Sequence, residues 1–159
     1  MPTIPADDDS ARAIEAVRAL ARASSLMERA SSELSLAHYR VLSAISSGDE
    51  RASRIAGRLA IGKPTISAAV NAMCERGLLV RMDVEGDLRA VDLRLTLKGR
   101  RLLERVEAEM IRRIELVSSK APDPPAMLES LVQLGRAIEE VFAERAETSR
   151  LAGQIEAAE

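Results

Sequence analysis

Aromatic side chains are almost missing from this chain: its 159 residues hold one Tyr, one Phe and no Trp. Stacking platforms for unpaired bases therefore have nothing to be built from, and neither has an aromatic-walled pocket within one subunit. A single cysteine, Cys74, excludes an internal disulfide framework. One histidine, His38, with no Cys/His cluster around it, argues against a structural zinc site, and no metal or other cofactor is expected. No apolar run approaches the roughly 18 residues that cross a bilayer. The opening "MPTIPADDDSAR" is acidic and has no apolar segment, unlike a secretory signal, so the cytoplasm is the expected location and no membrane partner is expected. No grouping of nucleophile and base is visible, and an enzyme is not expected.

What is present is a globular composition, 47% hydrophobic and 30% charged, on a length that suits one domain with a real core. The net charge of −2 conceals a segregation. Residues 51–101 carry eleven Lys/Arg against five Asp/Glu, a surplus of +6, while residues 1–50 stand at −3 and residues 102–159 at −5. Polyanion binding depends on where positive charge sits more than on the total, so the middle third is the candidate surface.

Periodicity divides the chain. After a leader at 1–9, Ile14, Val17, Leu20, Ala21 and Met27 recur at helical steps. Leu36, Tyr39, Leu42 and Ile45 predict a second helix over 36–46, followed by loop chemistry in "SSGDE". Two short helices come next, about 51–59 and 63–76, joined by "AIG". Pro64 suits a first helical turn, and Gly77 a left-handed stop. From Leu79 the period changes to two. Val91, Leu93 and Leu95 share one face of a return strand, which predicts a two-stranded hairpin packed on one side. Thr96 is placed to cap a helix bearing Leu103, Val106, Met110, Ile114 and Val117, which "KAPDPPA" breaks. A last helix from about Pro125 carries Leu128, Leu131, Leu134, Ile138, Val141 and Phe142 before a polar, Ala-rich tail at 149–159. Two short helices joined by a tight turn, then a hairpin, are the order of a winged helix–turn–helix, whose second short helix enters the DNA major groove.

On these residues the chain resembles the MarR family of transcriptional regulators. The family's wing signature, Asp-x-Arg, three residues, Leu-x-Leu-Thr and a Gly three further on, is met by Asp87, Arg89, Leu93, Leu95, Thr96 and Gly99. The stretches "RIAGRLAIGKPTISAAVNAMCERGLLVR" (54–81) and "LSLAHYRVLSAI" (34–45) are similar to the family's helix–turn–helix and to the helix leading into it. The resemblance implies a mainly α fold with a small β-hairpin wing. It places the winged helix–turn–helix DNA-binding region at 34–101, and helices at 10–33 and 102–148 that join two copies as a homodimer. The function implied is sequence-specific binding of double-stranded DNA, as a ligand-responsive repressor on a pseudo-palindromic operator.

If Ile66, Val70 and Met73 face the core, then Lys63, Thr65, Ser67, Ala68 and Asn71 face outward. Lys63 is a phosphate charge; Thr65 and Ser67 suit phosphates or base edges; Asn71 offers a donor and an acceptor to an adenine. Ala68 departs from the family pattern, in which a basic side chain often stands there. By resemblance Arg89 enters an A·T-rich minor groove and Asp87 orients it, while Leu88 stands where a second Arg is common. Arg51, Arg54 and Arg58 share a helix face and suit either the DNA backbone or acidic partners within the domain. His38, Tyr39 and Arg40 are candidates for a pocket that takes a small aromatic or anionic effector, the plain alternative being an ordinary helical surface. Cys74 is a candidate for oxidation, its alternative a packing role. A winged helix that binds protein instead of DNA is the competing function.

Overall fold

A computed structural model describes residues 7–48, 51–59, 61–84 and 87–156. Six helices and one hairpin follow in the order α1 (Asp7–Glu28), α2 (Leu36–Ser46), α3 (Ala52–Leu59), α4 (Lys63–Glu75), β1 (Leu79–Val84), β2 (Asp87–Leu95), α5 (Leu97–Ser118) and α6 (Pro124–Glu156). The mainly helical class with a hairpin wing is therefore the observed one. Among the described residues no helix is long and apolar enough to cross a membrane.

Local chemistry sets most boundaries. Ser35 caps α2 by accepting from the His38 N–H at 3.3 Å. Gly62 precedes α4 without a side-chain cap, and Pro64 sits in the first turn, where its missing N–H costs nothing. Gly77 ends the α4 turn at φ +68°, a conformation other residues resist. Two ends differ from the sequence reading. Helix α1 begins at Asp7, inside the stretch read as a leader, and residues 1–6 lie outside the described set. Helix α6 runs to Glu156, through most of the stretch read as a tail, because Ala, Leu, Gln and Glu hold a helix without an apolar stripe.

One core gathers α2, α3, α4, the hairpin base and the first half of α5. Leu42, Ile55, Ile66, Met73, Leu78 and Val106 are shut off from solvent, with Val41, Val70, Leu93, Leu102 and Leu103 beside them. Each such side chain contributes about 1.5–3 kcal/mol of burial. Ile66, Val70 and Met73 form the inward stripe of α4, as expected. The long helices differ: in α1, residues 8–25 are all exposed, and so is nearly all of α6 among the described side chains of 128–148.

The hairpin pairs antiparallel with Leu79 opposite Leu95, Arg81 opposite Leu93 and Asp83 opposite Val91. Directly opposed residues share a face, so Leu79, Leu93 and Leu95 seat the ribbon on the body while Arg81 and Val91 continue the same face outward. Val91 was expected to be buried with the two leucines, but it is 40% exposed. The ribbon has passed the edge of the core by that point. At the base, Thr96 Oγ1 donates to Gly77 O at 2.7 Å and accepts from Gly99 N at 3.0 Å, and Thr96 N donates to Leu78 O at 3.0 Å. A β-carbon on Gly99 would lie 2.1 Å from Leu78 O. The Thr and Gly of the wing signature thus weld the start of α5 to the end of α4.

Candidate nucleic-acid interface

Helix α4 buries one stripe and leaves the opposite one open. Lys63, Thr65, Ser67, Ala68 and Asn71 are all exposed, so the sequence placed each on the correct side. In the first turn, among the described residues, only Ile66 N is satisfied by the preceding segment, through Gly62 O at 3.1 Å. The uncapped N-terminus therefore turns backbone N–H groups and the positive dipole end outward, beside the Lys63 ammonium, an arrangement that suits a phosphate oxygen. Ala68 adds a methyl to this face and no charge.

Asn71 has a partner within the fold that the sequence reading did not name. Arg81 of β1 donates from Nη2 to Asn71 Oδ1 at 2.5 Å, which takes one of the two lone pairs of the amide oxygen and sets a positive charge beside the other, while the N–H2 group stays available for outward contacts. An adenine contact at Asn71, which uses donor and acceptor together, shares that acceptor with Arg81. Arg81 was missed, although its alternation with Val80 and Met82 places it on the face of Leu79.

Asp87 and Arg89 lie in β2 at the far end of the ribbon, and their side chains, like all those of residues 83–90, lie outside the described set. The three arginines around α3 divide. Arg51 approaches Asp92 of β2 (3.6 Å), which is half-buried, and Arg58 approaches Glu139 of α6 (3.6 Å) in an exposed pair of small energy, so both serve the fold. Arg54 is exposed with no ion pair among the described residues. A further network ties α4 to its neighbours: Arg76 Nη2 donates to Glu33 O (2.7 Å), Lys98 Nζ to Arg76 O (2.7 Å), and Arg105 pairs with Glu33 (3.0 Å).

The effector candidates are not brought together. His38 and Tyr39 are half-buried and Arg40 is exposed, because consecutive helical residues fan out instead of converging. Tyr39 packs against the core. Its phenol is pushed above the ordinary range by burial and then by the negative Glu107, with a hydrogen bond from Ser43 pulling the other way. A shallow groove lies elsewhere, between the end of α2 and β2, where Arg94 and Arg100 flank Ile45, Leu93 and Leu95. Cys74 is half-buried on the side of α4 that packs against the core. Among the described residues no three His, Cys, Asp or Glu side chains are grouped to hold a metal ion.

Residues 32–90 match the model of the MarR family, a span that takes in α2, both helices of the helix–turn–helix and the first half of the wing. No curated protein matches the chain. Among solved structures, the fold is similar to the transcriptional regulator BldR from Sulfolobus solfataricus (TM-score 0.67, 20% identity, 84% of this chain and 99% of that one). It is also similar to CouR from Rhodococcus jostii RHA1 bound to p-coumaroyl-CoA (TM-score 0.67, 19% identity, 87% and 96%). A third is the Mycobacterium tuberculosis transcriptional regulator MOSR in complex with DNA (TM-score 0.59, 24% identity, 81% and 96%). With a helix–turn–helix whose outer face is open, a wing welded to it by Thr96 and Gly99, and a family match over residues 32–90, this chain has a winged-helix fold and carries a region similar to the MarR family of transcriptional regulators.

Proposed function

We propose that the protein is a homodimeric regulator in the cytoplasm that binds double-stranded DNA at a pseudo-palindromic operator and represses from it until a small anionic or aromatic effector binds. The observation that carries this reading is the open face of α4. Lys63, Thr65, Ser67 and Asn71 surround an uncapped helix N-terminus within the only third of the sequence that is strongly basic. Lys63 and the first-turn N–H groups take phosphates, Ser67 and Asn71 take base edges, and Ala68 gives a methyl contact to thymine. Arg89 at the wing end enters the minor groove, with Asp87 orienting it. The DNA complex of MOSR and the p-coumaroyl-CoA complex of CouR support the two partner classes. Release follows from a population shift: an effector that binds better to a dimer whose two α4 helices no longer match successive grooves lowers operator occupancy.

The test is selection of bound DNA from a random pool, followed by affinity measured against salt. The expected result is a pseudo-palindrome with half-sites about one helical turn apart and a steep fall of affinity with salt as counterions are released. Absence of both sequence preference and salt slope refutes DNA binding and favours a protein-binding winged helix.

A further inference from the structure

Helix α4 carries one cation along its whole length, Lys63 at its first position. A second reaches its open face from another element. Arg81 belongs to β1, and its register opposite the buried Leu93 puts it on the side of the ribbon that is turned to the body. The connection from α4 to β1 is short and pinned, with Leu78 N donating to Met73 O at 2.9 Å and Gly77 N to Cys74 O at 2.9 Å. The direction of β1 relative to α4 is therefore fixed, and Arg81 extends along α4 to hold Asn71 Oδ1.

Both side chains are exposed, so water would satisfy them equally well and the fold gains little from the bond. Its consequence lies in what the pair presents outward. A free asparagine amide shows an acceptor oxygen with two lone pairs and two N–H donors, the pattern that complements adenine N6–H2 and N7. With one lone pair of its oxygen taken by a guanidinium and that positive charge beside the other, Asn71 accepts less readily from a base N–H2 while its own N–H2 stays available, and Arg81 keeps further N–H groups of its own. Such a surface is dominated by donors and by positive charge. Guanine is the base whose major-groove edge consists of two acceptors, N7 and O6. Ala68, three residues earlier on the same helix face, contributes no polar group that competes.

We propose that Asn71 and Arg81 act as one specificity-determining unit, contributed jointly by α4 and the first wing strand, that selects guanine over adenine at one position in each half-site. Arg81 is the positioning residue and Asn71 the reading residue. The inference rests on the DNA-binding reading above and adds the identity of a base.

The experiment is selection from a random DNA pool by the wild-type dimer, Arg81→Ala and Asn71→Ala, with thermal melting of all three as a check on folding. The wild type is expected to enrich guanine at one symmetry-related pair of positions. In Arg81→Ala the Asn71 acceptor is released, so adenine should rise against guanine at that pair alone, by on the order of tenfold, with other positions unchanged. Asn71→Ala should weaken the guanine preference without any gain of adenine. An Arg81→Ala pool with the wild-type base at every position overturns the proposal, as does a uniform loss of affinity, which would mark Arg81 as a phosphate contact. Loss of guanine without a rise of adenine also overturns it. A wild-type pool with no enriched sequence overturns DNA reading itself, and the unit with it.

Discussion

Gly99 shows how a single missing side chain is written into the wing signature. Its ideal β-carbon meets Leu78 O at 2.1 Å, backbone against backbone, with no flexible side chain to yield. Gly99→Ala should therefore push α5 away from the α4–β1 turn and break the Thr96 bonds to Gly77 and Leu78. A loss of about 1–3 kcal/mol is expected for overpacking of this kind, read as a lower urea midpoint at unchanged slope; an unaltered midpoint would show that the two segments can part freely. Tyr39 gives a second prediction at this scale. Its pKa is raised in the fold, chiefly by burial, so the folded state prefers the neutral phenol. The associated stability is complete below the unfolded value near 10 and is lost as pH climbs through the higher folded value. Wild type should thus lose stability between about pH 9 and 11 faster than Tyr39→Phe, by urea denaturation at each pH, and parallel curves would show that Tyr39 ionises without cost.

At the scale of elements the hairpin is half anchored and half projecting, and mutation should find the boundary. Leu93→Ala empties a site that is 2% exposed and is expected to cost about 2–5 kcal/mol. Val91→Ala, two residues along the same face, should cost under about 0.5 kcal/mol, as surface changes do. Equal costs would mean that the whole ribbon is packed. The same contrast shows what was legible beforehand. Alternation identified the ribbon and its inward face, but not where the core beneath it stops, since that depends on how far α2 and α5 extend. Helices α2 and α4 were readable to within a residue because their apolar stripes coincide with caps at Ser35, Gly62 and Gly77. The last turns of α6 were not, because propensity without a stripe was set aside. At the site, the outward residues of α4 followed from the helical period alone. The hold of Arg81 on Asn71 did not, and neither did the pairing of Arg51 with Asp92 and Arg58 with Glu139, because each needs the angle between two elements. His38, Tyr39 and Arg40 follow one another on α2 and turn by about 100° per residue, so that helix alone does not gather them on one face.

Taken as a whole, the molecule has a well-filled winged-helix body and two long helices that lack cover. Helix α1 shows Ile14, Val17 and Leu20 to solvent, Val17 at 65%, and α6 shows Leu128, Leu131, Val132, Leu134, Ile138 and Val141. A helix of 33 residues is about 50 Å long, more than the body can cover, and helices with an open apolar face are marginal in water without packing. A second copy, which brings the same two stripes, can cover them through a two-fold interface in which each patch meets its own mate. This predicts that association and helix stability are coupled. Val17→Glu and Ile138→Glu should each shift the mass measured by light scattering from two chains towards one and make the helical signal melt earlier. Thermal unfolding of the wild type should also depend on protein concentration. The winged-helix core at Leu42, Ile66 and Met73 is remote from both stripes in its packing, so its own unfolding should persist in the variants as a separate transition. Operator affinity should nonetheless fall with dimerisation, since one α4 would be left to read one half-site. If both variants stay two-chain species with wild-type melting, the apolar faces of α1 and α6 are not the dimer interface.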